Sequence, residues 1–246
     1  MWIQLDQNVF EKNAASKTGD TGEIKTGISS RTFNDLTDTR DYGYKITAVK
    51  DVKGNPIRHT INQTMMRIDL AKPLKNGEKV TFSIKWWYNI VNYQEQVNNG
   101  RSGYEQFPDG NRLYVMAQFF PRMAVYSDVE GWQNMQFWGR GEFALTFGDY
   151  EVNITVPADH IMEGTGVIQN KSEVYTPEQM KRWATAKASE KTVIIRSAAE
   201  VTDASSRPAK DRLTWKFACK NARDVAFATS KAFIQDAAMI NLPSGK

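Results

Sequence analysis

A mainly β fold is what this sequence predicts: multi-stranded open sheets or a β-sandwich, with one short helix near residues 176–188. Three observations carry it. Apolar and polar residues alternate at period two through much of the chain, the mark of half-buried strands. Clusters of Gly, Asn, Asp and Pro punctuate those runs at turn spacing. A helix-starting pattern is convincing only at Thr176.

Taken in order, Trp2 to Phe10 reads as a first strand. Trp2, Ile3 and Leu5 come with no polar lead-in, so a chain trimmed at its front end is expected. From Glu11 to about Asp41 the residues are mostly polar and hold no periodic core, and a long loop is expected over 11–41. A meander follows, in which Tyr44, Ile46 and Ala48 alternate, Lys53-Gly54-Asn55-Pro56 turns the chain, and Met65 to Leu70 forms another strand. After a turn at Lys75-Asn76-Gly77-Glu78, Val80, Phe82, Ile84 and Trp86 face one way, with Thr81, Ser83, Lys85 and Trp87 opposite. That is the cleanest half-buried strand in the sequence.

Asn98-Asn99-Gly100 and Pro108-Asp109-Gly110 lead to an apolar strand from Leu113 to Phe120. Phe147, Tyr150, Val152, Ile154 and Val156 then lie on a long strand that Pro157 ends. Thr176-Pro177-Glu178-Gln179 has the form of a capping box, with Pro at the first helical position and Met180, Trp183, Ala184 and Lys187 sharing the face beyond it. Val193 to Arg196, Leu213 to Ala218 and Val225 to Thr229 close the chain as strands.

A chain of 246 residues is long enough to bury roughly 70–75% of its unfolded surface. With no internal repeat and no Pro- or Gly-rich linker, a single domain over 1–246 is expected. Cys219 stands alone, which excludes an intrachain disulfide and a metal site built of several cysteines. The 32 Lys and Arg against 28 Asp and Glu leave a net charge of +4, and these residues are scattered. Neither the charge nor its spread suits a nucleic-acid binder, and none is expected. No apolar run approaches the roughly 18–20 residues that span a bilayer, so no membrane span is expected.

Catalytic patterns are missing. Metallopeptidase chemistry commonly uses His-Glu-x-x-His on a helix, and that motif does not occur. His59 and His160 are too few for a three-ligand zinc site without a carboxylate. Asp159-His160 lacks the Gly-x-Ser-x-Gly elbow of a triad hydrolase, and reads as a loop pair after Pro157. Gly139-Arg140-Gly141-Glu142 lacks the Lys-Ser or Lys-Thr of a phosphate cradle and reads as a turn before a strand. The acidic run Asp35 to Asp41 lacks the glycine and glutamate of a calcium loop. Trp86, Trp87, Trp132 and Trp138, with Tyr88, Tyr104 and Tyr126, read either as core and interface residues or as a platform stacking on sugars.

One segment is specific. It runs Tyr114-Val115-Met116-Ala117-Gln118-Phe119-Phe120-Pro121-Arg122-Met123-Ala124-Val125-Tyr126, then Gly131-Trp132, Gly141-Glu142-Phe143, and Tyr150 through Pro157. It resembles the N-terminal domain of the aminopeptidase N-like zinc metallopeptidases, the gluzincin type, particularly exported bacterial members. The likeness extends more loosely from Trp2 to Ala228, so it covers nearly the whole chain. It implies a saddle-shaped β-domain that is not itself catalytic, scaffolding a catalytic domain elsewhere in the same polypeptide and capping the site that receives the substrate's amino terminus. Zinc is then expected in that missing domain and no cofactor in this chain. The resemblance places Gln118 on the glutamine that holds the substrate's free amino terminus, while Phe120 stands where the family has an acidic or amide residue. Val125 stands where arginine is frequent. Substrate contacts are therefore expected from Gln118 and Phe120, and a periplasmic or cell-surface location is implied. The alternative is a free-standing β-sandwich module binding carbohydrate or protein.

Overall fold

Alternation of apolar residues at period two builds most of the regular structure seen in the computed structural model, which describes residues 1–15, 27, 30, 33, 37–95, 100–139 and 144–244. The fold is mainly β, with several open sheets. Most of the loop expected over 11–41 lies outside the described residues, as do Asp35, Asn98-Asn99 and Gly141-Glu142-Phe143. The chain forms two compact units, Met1–Tyr104 with Met116–Phe147, and Glu105–Val115 with Gly148–Lys246.

In the first unit, β1 (Trp2–Gln4), β2 (Lys45–Asp51), β3 (His59–Asn62), β4 (Met65–Ile68), β5 (Phe82–Trp87) and β6 (Val91–Asn92) come in chain order. β7 (Ser102–Gln106) and β8 (Arg112–Met116) follow, with Glu105 and Gln106 of β7 and all of β8 but Met116 belonging to the second unit. β9 (Arg122–Met123), β10 (Tyr126–Ser127) and β11 (Gly131–Trp132) complete it. β3, β4, β1 and β9 make one antiparallel sheet in that order, and β2 pairs with β5. The turns read at Lys53 to Pro56 and at Lys75 to Glu78 are present, with Gly54 and Gly77 at φ +84° and +79°, a backbone region that glycine enters freely.

β5 keeps its alternation, with Phe82, Ile84 and Trp86 half-buried and Ser83, Lys85 and Trp87 exposed. Val80 lies before the strand and is exposed. Two expectations shift. In β2 an irregularity between Ile46 and Ala48 breaks the period, so Val49 takes the core position. The first strand stops at Gln4 because Asp6 to Phe10 turn into a 3-10 helix that buries Asp6, Gln7 and Asn8. The unit's core gathers Ile3, Leu5, Tyr44, Val49, Met66 and Ile68, with Phe82, Ile84 and Trp86 packed against it.

The second unit is built on a long pair, β12 (Gly148–Pro157) with β16 (Arg212–Ala222), flanked by β14 (Val167–Ile168). β13 (Ile161–Gly164) pairs with β17 (Phe227–Ser230), which neighbours β8, and β15 (Val193–Arg196) pairs with β18 (Gln235–Ala237). Inward residues Val152, Ile154 and Val156 meet Leu213, Trp215 and Phe217 in a core that also holds Ile161, Met162, Tyr175 and Ile195.

Two helices lie among the described residues, α1 (Lys171–Val174) and the expected α2 (Pro177–Ala186). The capping box is formed: the Thr176 hydroxyl accepts from Gln179 N, and the Gln179 carboxamide accepts from Thr176 N. The buried face is rotated from the expected one, since Gln179 and Ala186 are buried while Ala184 and Lys187 are exposed. Gln179 can face inward because its Nε2 donates to the Ser206 carbonyl. Thr176→Ala removes the acceptor for a free helix amide. It is expected to cost about 1 kcal/mol, and to raise hydrogen exchange in the first turn of α2 before it moves the strands; unchanged exchange there would rule the cap out. No helix among the described residues is long and apolar enough to cross a membrane.

Candidate functional site

The segment read from Tyr114 onward starts within β8 and leaves it after Met116. Met116 is buried, and beyond it the backbone leaves the strand at Ala117, Gln118 and Phe119. Such a departure exposes carbonyls that a sheet would otherwise satisfy. Each of the three finds a side-chain donor. Ser102 Oγ donates to the Ala117 carbonyl at 2.7 Å, Tyr44 OH to the Gln118 carbonyl at 2.9 Å, and Trp86 Nε1 to the Phe119 carbonyl at 3.3 Å.

Those donors are themselves fixed. Tyr44 is buried, its backbone N–H donates to Asn8 Oδ1 at 2.8 Å, and its ring meets Tyr88 edge to face with centroids 5.4 Å apart. Burial pushes the Tyr88 phenol up to about 12, so that ring stays neutral across the physiological range. Ser102 is fully buried in β7. Trp86 lies on the inward face of β5.

Past Phe120 the chain is anchored again. Arg122 in β9 is buried and donates through Nε and Nη2 to Asp6 Oδ2 at 2.9 and 2.8 Å, while Gln4 Nε2 donates to Asp6 Oδ1 at 2.6 Å. A buried guanidinium is tolerated only with such a partner.

Between these anchors Gln118 sits at φ +54°, left-handed backbone that a side chain other than Gly, Asn or Asp rarely adopts. Among the described residues two other non-glycine positions share that region, Gln63 at +53° and Asn221 at +53°. Gln63 fills the turn between β3 and β4, and its carboxamide accepts from Ala15 N. Asn221 N donates to Asp149 Oδ1 opposite β12. The Gln118 carboxamide differs, for it makes no hydrogen bond to another described residue and its side chain is half-buried. Phe119 and Phe120 follow as an edge-to-face pair, centroids 5.1 Å apart, both half-buried.

Each histidine has a contact of its own. His59 Nδ1 lies 3.0 Å from the Ile57 carbonyl in the first unit, and His160 Nδ1 lies 3.1 Å from Thr229 Oγ1 in the second. Among the described residues no group of three His, Cys, Asp or Glu side chains is placed to hold a metal ion. Trp87 and Trp138 are exposed, and Tyr126 meets Trp132 edge to face at 66° rather than presenting a coplanar platform. A cleft of about 630 Å³, lined by Ile57, Leu70, Pro73, Leu74 and Val80 among others, opens in the first unit, and a second of about 640 Å³ reaches Met123 and Trp132. Neither is lined by Gln118 or Phe120.

His160 gives a titration test. Burial holds its imidazole below the ordinary 6.5, with Asp159 opposing and Lys231, Arg196 and Arg207 adding to the shift. The native state therefore takes up that proton less readily than the unfolded chain. Its contribution to stability is complete above the unfolded value and is lost as pH falls below it. Wild type is expected to lose more stability than His160→Gln between about pH 7.5 and about pH 5.5. Equal losses in urea titrations would remove His160 as the cause.

Sequence reasoning missed the donors Tyr44 and Ser102 and the acid Asp6, each distant in sequence from the segment it holds. No protein family, no curated protein and no solved structure matches this chain.

Proposed function

We propose that this chain is the non-catalytic N-terminal domain of an aminopeptidase-like zinc metallopeptidase. It scaffolds the catalytic domain of the same polypeptide and presents Gln118 to the amino terminus of the peptide substrate. The observation that carries this reading is Gln118 itself: left-handed backbone, an unengaged carboxamide, and anchors on both sides, within the segment of closest family likeness. Strain of this kind costs about 1–3 kcal/mol and collects at binding and catalytic sites.

The chemistry is direct. A carboxamide oxygen accepts hydrogen bonds from an ammonium, and its NH₂ is left to donate elsewhere. Phe120 brings no charge to the site, where an acidic residue would neutralise the ammonium. Its ring face offers a cation–π contact of about 0.5–1 kcal/mol when exposed. In this reading zinc belongs to the catalytic domain. The exposed apolar residues Met123, Tyr126, Val129, Met135, Trp138 and Phe147 crowd one stretch of the first unit and suit a face that packs on another domain. A periplasmic or cell-surface location belongs to the same reading.

Assay of the 246-residue chain and of the full-length protein on L-leucine p-nitroanilide tests it. The chain alone is expected to be inactive and the full-length protein active. Gln118→Ala in the latter is expected to raise KM roughly 10- to 100-fold, as befits a hydrogen bond to a charged group. Hydrolysis by the chain alone, or an unchanged KM in the variant, would overturn the assignment.

A further inference from the structure

We infer that Tyr44, Ser102 and Trp86 are positioning residues that set the direction of the Gln118 carboxamide by holding three consecutive carbonyls. The inference rests on the reading of Gln118 as a ligand-contacting residue, and adds the machinery that aims it.

A glutamine at φ +54° has allowed alternatives of lower energy, since rotating the peptide units on either side returns it to ordinary extended or helical φ. Such a rotation swings the carbonyls of residues 117 to 119 away from their present directions. Those carbonyls are the atoms that the three side chains grip: Ser102 from β7, Tyr44 from just before β2, and Trp86 from β5. Three donors from three separate elements, all bonding main-chain oxygen and none bonding the Gln118 side chain, fix the backbone while leaving the carboxamide unengaged. Strained backbone persists only where its surroundings over-determine it. At Gln63 and Asn221 the same conformation serves a turn or a strand end; at Gln118 what it sets is where the side chain points.

Tyr44 is the residue to test, because Tyr44→Phe deletes one donor and retains the ring packed on Tyr88. Ser102→Ala is the second variant. On the chain itself, NMR reads the native state of each: the φ-sensitive coupling and the side-chain NH₂ resonances of Gln118. Both signals are expected to change in both variants, beyond any change in unfolding midpoint. A purely structural role would lower the midpoint and leave the native Gln118 signals as they are, and that result would overturn the inference.

On the full-length protein, Tyr44→Phe is expected to raise KM for L-leucine p-nitroanilide several-fold with a smaller change in kcat. In the Tyr44→Phe/Gln118→Ala double variant it is expected to add nothing to Gln118→Ala. Full multiplicativity of the two KM effects would overturn the inference. If Gln118→Ala alone leaves KM unchanged, the functional reading fails, and the NMR measurement on the chain still decides whether the cradle aims the side chain.

Discussion

Arg122→Ala is expected to lower the unfolding free energy by about 3–5 kcal/mol, and Asp6→Ala by a similar amount. Both side chains are removed from water, at 6% and 2% exposure, and the guanidinium places two donors on one carboxylate oxygen. Deleting either partner takes from a desolvated charge its two-bond pairing, which is why the single losses exceed anything a surface pair gives. The carboxylate is held from a third direction by Gln4, whose strand β1 pairs with β9 in the register Gln4 to Arg122. Losing the ion pair therefore loosens the seam between β1 and β9 as well. Asp6→Leu with Arg122→Met, an apolar pair of similar bulk, is expected to recover much of the loss, because the burial cost of two charges disappears together. Urea titrations of the four proteins measure this, with the slope of unfolding free energy against urea held constant. Single-variant losses below about 1 kcal/mol would place the pair among weak surface bridges instead. Arg122→Ala is also expected to raise hydrogen exchange at residues 118–120, since its anchor lies two residues beyond Phe120.

Much of the β architecture was legible because its signal is local. β5 and β12 show their inward and outward faces in sequence, at Phe82, Ile84 and Trp86 and at Val152, Ile154 and Val156. The capping box at Thr176 was legible for the same reason, as four adjacent residues specify it. Features resting on distant partners were not. Asp6 sits in what reads as a strand, and its partner is 116 residues away. Arg196 and Arg207 pass in sequence for scattered surface charge, yet both are buried, donating to the carbonyls of Lys231 and Phe233 and of Ala158 and His160. Gln179 passes for the solvent face of a helix, and turns inward only because the Ser206 carbonyl waits for it. At the candidate site, resemblance pointed to Gln118 by residue type. Its left-handed backbone was invisible, since glutamine carries no preference for that region and the donors that impose it come from residues 44, 86 and 102.

In the second unit, Trp215→Ala is expected to cost about 3–5 kcal/mol, the range for deleting a large buried aromatic. Trp215 is fully buried on the inward face of β16, between Leu213 and Phe217. Its ring meets Tyr175 edge to face at 5.3 Å and lies nearly parallel to Phe217 at 6.5 Å, so its loss opens a void that two aromatic neighbours line. The cost has a second source. The Arg207 guanidinium lies 6.0 Å over the indole, and burial has already pushed that guanidinium down to about 10. Removing the ring takes away the face that balances a poorly solvated cation. Trp215→Phe keeps an aromatic face and most of the volume, so it is expected to retain more than half of what the alanine variant loses. Circular dichroism through a urea gradient reads both without depending on the deleted fluorophore. Equal losses in the two variants would mean that some feature of the indole other than its bulk holds this core. A loss below about 1 kcal/mol in Trp215→Ala would mean that the site collapses around the gap, which close packing between a long strand pair and a capped helix should prevent.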